Sequence, residues 1–322
     1  MADGLISVLL TTYNRRELLE RAVDSVLNGT YRNFELIILD DASTDDTERY
    51  ASGLVDERIR YVRMPENGGV LRSRNRGFDM ASGEFVVILD DDDVLERDAL
   101  ETIANEFGRL ERQEFGILWF NCRNAETGVI SGSMPAGEGQ IPYDLYLSGK
   151  ISGDFWMAFR KNVIQGYRFD ERLKANESLL WLRMHRDHKA WFSPRVLCVK
   201  FRQHGLPRLS DVDVRMQRMR NITLAMRQYL EEFGDDLGRL DPALLGAQMA
   251  YFGLHLLAIG EAAAGRRSIR NSFRYRFSSK YLLIFLSSYS LPSAVFSSLI
   301  HRMEAGAKRK KDRSLVSAAQ GR

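Results

Sequence analysis

Residues 1–120 alternate short apolar runs with segments whose apolar positions recur at helical spacing. The runs Ile6–Leu10, Glu35–Asp40, Ile59–Arg63, Phe85–Asp90 and Phe115–Phe120 are mostly continuous rather than strictly alternating. Continuous runs suit strands of a sheet covered on both faces. Between the first two, Arg15–Leu27 sets Leu18, Leu19, Ala22, Val23 and Val26 at helical spacing, and Asn14 followed by Glu17 offers a capping box. Thr44–Leu54, Val70–Ala81 and Glu96–Leu110 read as further helices. This alternation predicts an α/β fold with a mostly parallel sheet flanked by helices.

The pattern then changes. Gly128–Gly153, rich in Gly, Ser and Pro, reads as loops with a short helix, Asn176–His188 as a helix and Val196–Phe201 as a late strand. From Asp213 onward no strand pattern remains, and Asp213–Phe233 and Pro242–Ala263 read as amphipathic helices. A sheet domain over residues 1–210 is therefore expected, with halves 1–120 and 121–210, followed by a helical extension over 211–322. No internal repeat is present.

Composition narrows this only slightly. At 322 residues, 44% hydrophobic and 28% charged, the chain is ordinary globular protein, which excludes collagen-like, low-complexity and wholly disordered classes. Cys122 and Cys198 are too few for a disulfide framework or a complete zinc site, and read as reduced, buried thiols of a cytosolic protein. Leu5–Leu10 is too short, and lacks the preceding basic residues, for a signal peptide.

Charge changes the picture more. Between Gly265 and Arg313 twelve Lys and Arg stand against Glu304 and Asp312, so a +10 tail and a −7 body make up the formal net charge of +3. Such a tail suits a polyanionic surface, membrane or nucleic acid. Tyr281–Ile300 carries no charge, yet six Ser and Pro292 interrupt it. That pattern predicts two short amphipathic helices at an anionic membrane interface rather than a span, and sets nucleic acid aside. The other use of such a tail is packing, on the sheet domain or on a second copy in a homo-oligomer. The expected location is cytoplasmic, peripheral at the inner face of the membrane.

Two predicted strands end in acidic clusters, Asp40-Asp41 and Asp90-Asp91-Asp92-Asp93. Ligands of parallel α/β sheets sit beyond the carboxyl ends of strands. Consecutive carboxylates repel one another unless a cation or ordered hydrogen bonds offset them. A hard divalent ion, Mg²⁺ or Mn²⁺, prefers such oxygen ligands and can bridge to phosphates. Solvated turns and helix caps are the competing use, which suits Asp45 and Asp46. Neither GxGxxG nor GxxxxGK[ST] occurs, which argues against a dinucleotide enzyme or a P-loop NTPase.

Five motifs follow in order: Ser7–Asn14, Leu39–Asp45, Glu66-Asn-Gly-Gly69, Ser73-Arg-Asn-Arg-Gly77 and Gly83–Asp93. Together, over roughly residues 5–210, they resemble glycosyltransferase family two, the inverting nucleotide-sugar transferases of the Rossmann-like GT-A fold. The resemblance implies that Thr11 and Asp41 hold the nucleotide base, typically uracil, with Tyr13 lining the same pocket. Arg15 or Arg74 would face the diphosphate, and Arg72, Arg74 and Arg76 could equally form a solvated face. Asp90 and Asp91 fall at donor positions, Asp92 at the position of the best metal ligand, and His204 in a late segment near the metal or diphosphate.

The family supplies its base in a Glu-Asp pair before an aromatic-rich helix. Here the chain reads Asn176-Glu177 before Ser178-Leu-Leu-Trp181, so Glu177 takes the base position, with Asp170 or Glu171 as fallbacks. A first-turn helix carboxylate is the plainer use of Glu177. Asp154 and Trp156 lie where acceptor sites form, although Trp156 suits a core equally well. The implied activity is transfer of a sugar from a nucleotide-diphosphate sugar, with UDP as the nucleotide, to a glycan or lipid-linked acceptor in surface polysaccharide synthesis. A sugar nucleotidyltransferase and a degenerate nucleotide-sugar-binding scaffold are the alternatives. The absence of several membrane helices argues against a processive synthase.

Overall fold

The computed structural model describes residues 4–110, 114–174, 176–201 and 215–304. The chain divides into two compact units, Met1–Leu209 and Ser210–Arg322. The first contains β1 (Ile6–Thr12), α1 (Arg16–Leu27), β2 (Phe34–Asp40), α2 (Thr47–Ser52), β3 (Ile59–Arg63), α3 (Val70–Met80), β4 (Phe85–Asp90), β5 (Asp93–Leu95) and α4 (Ala99–Arg109). It continues through β6 (Ile117–Asn124), β7 (Gly132–Ser133), β8 (Gly139–Ile141), α5 (Tyr143–Leu147), β9 (Ser152–Gly153), β10 (Phe155–Arg160), α6 (Lys161–Gln165), α7 (Ser178–Asp187) and β11 (Ala190–Lys200).

The sheet runs β3-β2-β1-β4-β10-β6-β11-β5, with β8 on β11, while β7 and β9 form a separate ribbon. Its β3-β2-β1-β4 half is parallel. Every residue of β1 and β2 is buried, as their continuous apolar runs require, whereas edge strand β3 is half-exposed. Register fixes where the chemistry gathers. Thr11 lies opposite both Leu39 and Asp90, and Thr12 opposite Asp40, so these strands end level with one another.

Three local expectations are corrected. The first concerns α1, whose N-cap is Arg15 with no side-chain cap. Asn14 instead sits at φ 52°, a conformation Asn tolerates, and its Oδ1 accepts from the Thr44 amide at 2.6 Å. The Arg16 amide is satisfied by Asp45 Oδ2 at 3.2 Å, so the cap comes from the next loop. The second concerns β10, which inserts antiparallel between β4 and β6 where no strand was expected. The third concerns β11, which starts at Ala190 and shifts register between Ser193 and Val196; Pro194 lies there and has no N–H to donate.

Burial of β10 settles Trp156. Its side chain belongs to the sheet core and its Nε1–H donates to the Ile88 carbonyl at 2.7 Å. The ring is enclosed on the sheet, 4% exposed, which is the core use the sequence also allowed. Helix α3 packs closely on β1 and β2: a Cβ at Gly77 would come 2.7 Å from Leu39 Cδ1. That close approach explains the glycine of the Ser73–Gly77 motif.

The second unit comprises α8 (Arg215–Leu240), α9 (Pro242–Ala258), α10 (Ala262–Ser272), α11 (Ser279–Ser287) and helical residues 293–304. Its core joins Leu254, Leu257, Ile269, Ile284, Phe296 and Ile300. Pro242 occupies the first turn of α9 and Asp241 caps it, accepting from the Leu244 amide at 2.9 Å. Tyr281–Ile300 is thus split between two short helices, on either side of Pro292. Among the described residues no helix is long and apolar enough to cross a membrane.

Candidate active site

The level ends of β1, β2 and β4 bring the first group of expected residues together. Thr11 and Asp41 are buried there, and the Asp41 amide donates to the Thr12 carbonyl at 3.0 Å. Both carboxylate oxygens of Asp41 accept backbone amides, Gly68 at 2.9 Å and Gly69 at 2.8 Å. Gly69, at φ 89°, lets the chain turn into α3 and present those amides. Tyr13 stands at the rim with 42% of its surface exposed. Asp40, by contrast, is occupied structurally by the Tyr61 hydroxyl and the Ser43 amide.

The four aspartates after β4 divide by environment. Asp91 is buried, accepting from the Thr12 hydroxyl at 2.8 Å and Arg15 Nη1 at 3.0 Å. Burial pushes its pKa up to about 7 against the pull of Arg15 and Thr12. Through Thr12 and Arg15, Asp91 ties the ends of β1 and β4 together. Asp93 is buried as well, and its pKa is pushed up to about 6 by desolvation, despite Lys200 Nζ at 2.7 Å. Asp90 is half-exposed; desolvation raises its pKa, but Arg74 and Lys200 outweigh that and hold it below the usual carboxylate range. Asp92 lies 3.7 Å from Arg15 Nη1.

Oxygen atoms of Asp90, Asp92 and Asp93 all lie within 4.8 Å of one another. Hard oxygen donors at that separation fit Mg²⁺ or Mn²⁺. Charge points the same way. Among the described residues the carboxylates of Asp90, Asp91, Asp92, Asp93 and Glu177 outnumber the cations that pair with them, Arg15, Arg74 and Lys200. His204 lies outside the described residues.

Arg74 is the unexpected centre of the site. It occupies a core-facing position of α3, between buried Leu71 and Phe78, with 5% of its side chain exposed. Its Nη2 donates to Asp90 Oδ1 at 2.5 Å, and its Nη1 forms an ion pair with Glu177 Oε1 at 2.5 Å. Burial works against its charge, yet Glu177 and Asp90 outweigh this and raise its pKa further. Glu177 is the N-cap residue of α7, where the helix dipole favours an anion. The fallback carboxylates are held elsewhere: Asp170 by Arg172, and Glu171 by Asn75. Asp154 is half-buried, its backbone fixed by hydrogen bonds to Ser131.

Sequence reasoning passed over several neighbours of this cluster. Lys200 ends β11 opposite Asp93, and the signal was available as one basic residue closing an apolar strand. Thr12 was hidden in its strand. An aromatic wall of buried Trp119 and His185 with half-buried Tyr146 came from three separate elements; ring centroids lie 5.0 Å apart for Trp119–His185 and 4.7 Å for Tyr146–His185. His185 Nδ1–H donates to the Trp181 carbonyl at 2.7 Å, and burial pushes its pKa down to about 4. It is a packing residue, as expected. Helix α5, which carries Tyr146, packs against α7, whose N-cap is Glu177, and burial and then the charge of Glu177 raise the Tyr146 pKa.

A mixed sheet with a parallel half, flanked by helices and with carboxylates at its strand ends, is the arrangement of the GT-A class. Residues 7–164 match the family model for glycosyl transferase family 2, and the chain belongs to that family. A GalNAc(5)-diNAcBac-PP-undecaprenol beta-1,3-glucosyltransferase of Campylobacter jejuni is 35% identical over 214 residues. The match covers 62% of this chain and 66% of that protein, so the chain spans just under two thirds of that relative. Among solved structures, Staphylococcus aureus TarS 1–349 in complex with UDP-GlcNAc has TM-score 0.60 at 16% identity, covering 84% of this chain and 89% of its own. The mannosyltransferase PcManGT of Pyrobaculum calidifontis, in complex with GDP-Man and Mn²⁺, has TM-score 0.53 at 21% identity, covering 98% and 84%.

Proposed function

We propose that this protein is a cation-dependent, inverting glycosyltransferase that moves a sugar from a UDP-sugar to a hydroxyl of a lipid-linked glycan. The observation that supports the proposal most strongly is the single guanidinium of Arg74, which pairs with both Asp90 at the end of β4 and Glu177. The undecaprenol-linked substrate in the name of the Campylobacter relative and the UDP-GlcNAc bound to TarS support the choice of acceptor and donor. The Mn²⁺ of PcManGT and the oxygen cluster of Asp90, Asp92 and Asp93 support the cation.

In this reading Thr11, Tyr13 and Asp41 receive the uracil, and Arg15 faces the diphosphate. Asp92, with Asp90, would hold the cation, with His204 a further candidate ligand. A divalent ion there would supply Lewis-acid stabilisation of the departing nucleoside diphosphate. Glu177 takes the proton of the acceptor hydroxyl as its oxygen attacks the anomeric carbon. The bond from that carbon to the diphosphate oxygen breaks, its electron pair leaves with UDP, and in-line displacement inverts the centre. Release of UDP from a UDP-sugar, with and without chelator, is the test.

The second unit supports attachment to an anionic membrane. Leu283, Leu286 and Tyr289 are 69%, 57% and 68% exposed, an apolar stripe on and just after α11, with Arg266 over the Tyr289 ring. No acidic residue occurs between Glu261 and Glu304, while Arg267, Arg270, Arg274, Arg276, Lys280 and Arg302 are all exposed. Apolar side chains ringed by cations complement anionic headgroups over acyl chains.

A further inference from the structure

Arg74 offers more than a contact. Its Nη2 is taken by Asp90 and its Nη1 by Glu177, while its Nε is buried without a hydrogen-bond partner, so one guanidinium serves both carboxylates with a donor to spare. Helix α3 also fixes the segment that delivers Glu177. Asn75 donates to the Phe169 carbonyl at 3.0 Å and accepts from the Phe169 amide at 2.8 Å, Phe78 stacks on Phe169, and Asp79 pairs with Arg168. The arginine and the carboxylate of Glu177 are therefore held in place from both sides.

We infer that Arg74 is a positioning residue that divides one positive charge between Asp90 and Glu177 and so couples cation capture at β4 to the state of the base. The inference rests on the cation-dependent reading above. A cation drawing on Asp90 competes with Arg74 for the same oxygens. The guanidinium then turns its charge toward Glu177 and the incoming diphosphate. Coupling of this kind is reciprocal: whatever strengthens the Arg74–Glu177 pair favours the cation, and whatever removes it disfavours the cation.

The test is direct Mn²⁺ binding, titrated by the electron paramagnetic resonance of free Mn²⁺, on the full chain without donor or acceptor. Arg74→Gln removes the competing charge and should tighten Mn²⁺ about tenfold, whereas Glu177→Gln should weaken it about fivefold by leaving Arg74 to Asp90 alone. Simple loss of a nearby negative charge would also weaken Mn²⁺, so the double variant decides. Within Arg74→Gln, the effect of Glu177→Gln should fall below about twofold. Additive effects with normal wild-type Mn²⁺ binding overturn the coupling alone. Absence of Mn²⁺ binding to the wild-type chain overturns the cation-dependent reading and the coupling with it. If Arg74→Gln does not fold, Arg74→Lys replaces it. Lysine cannot bridge two carboxylates with forked donors, so the Glu177→Gln effect must shrink by at least about half there, and an undiminished effect overturns the coupling.

Discussion

Lys200 and Asp93 face each other across the antiparallel β5–β11 pair, with Nζ 2.7 Å from Oδ2. The pair closes one side of the acidic cluster. Asp93 is the most enclosed of the three clustered oxygens, which leaves Asp90 and Asp92 as the better cation ligands. Burial works against the charge of Lys200, but Asp93 outweighs it and raises the lysine's pKa.

Removing one partner of a mostly buried ion pair strands the other. Lys200→Ala should therefore destabilise the protein by about 3–5 kcal/mol, read as a lower urea midpoint. Adding Asp93→Asn should recover much of the loss. An unchanged midpoint in Lys200→Ala would show that the pair does not hold the cluster.

Glu177→Gln keeps shape and removes the base. Transfer should fall about a hundredfold or more while UDP affinity stays within about twofold. Equal loss of both would point to a donor-binding carboxylate. Activity kept in Glu177→Gln but lost in Glu171→Gln would move the base to the fallback position.

Stability should also respond to pH through two buried histidines. Burial lowers the pKa of His185 and of His255 from 6.5 to about 4. The unfolded chain therefore takes up protons first as pH falls below 6.5, and the stability from neutral burial is lost progressively toward pH 4. Unfolding free energy should drop by about 2 kcal/mol per histidine between about pH 7 and about pH 5. His255→Leu should flatten its share of that slope; an unchanged slope would mean the ring is already hydrated.

Attachment through the second unit predicts co-sedimentation with vesicles rich in phosphatidylglycerol, weakened by salt and absent with phosphatidylcholine alone. Leu283→Glu with Leu286→Glu should abolish it. Persistent binding in that variant would exclude α11 as the contact. A dimer by sedimentation that the variant converts to monomer, without vesicle binding in either form, would assign the face to a second copy instead.

What could be seen in the sequence depended on range. Continuous apolar runs revealed β1, β2 and β4, and their ends located Thr11, Asp41 and the four aspartates. The charge at a core position of α3, Arg74 between Leu71 and Phe78, was visible as an anomaly but not as a bridge. Its partners lie 16 and 103 positions along the chain, a pairing that topology alone decides. The same holds for Lys200 and Asp93. Strand β10 escaped because its alternation of half-buried and buried positions is short and follows a glycine-rich loop. The Asn14 capping box had the right spelling, but the Thr44 amide competed for the asparagine and won.

The central claim is cation-dependent transfer from a UDP-sugar. Its most direct measurement is UDP release from a panel of UDP-sugars with Mn²⁺, using a short saccharide on a lipid diphosphate as acceptor. UDP should be released with at least one donor, with inverted configuration in the product, and release should cease with chelator and with Asp92→Ala. Turnover that persists undiminished under chelation and in Asp92→Ala would contradict the account.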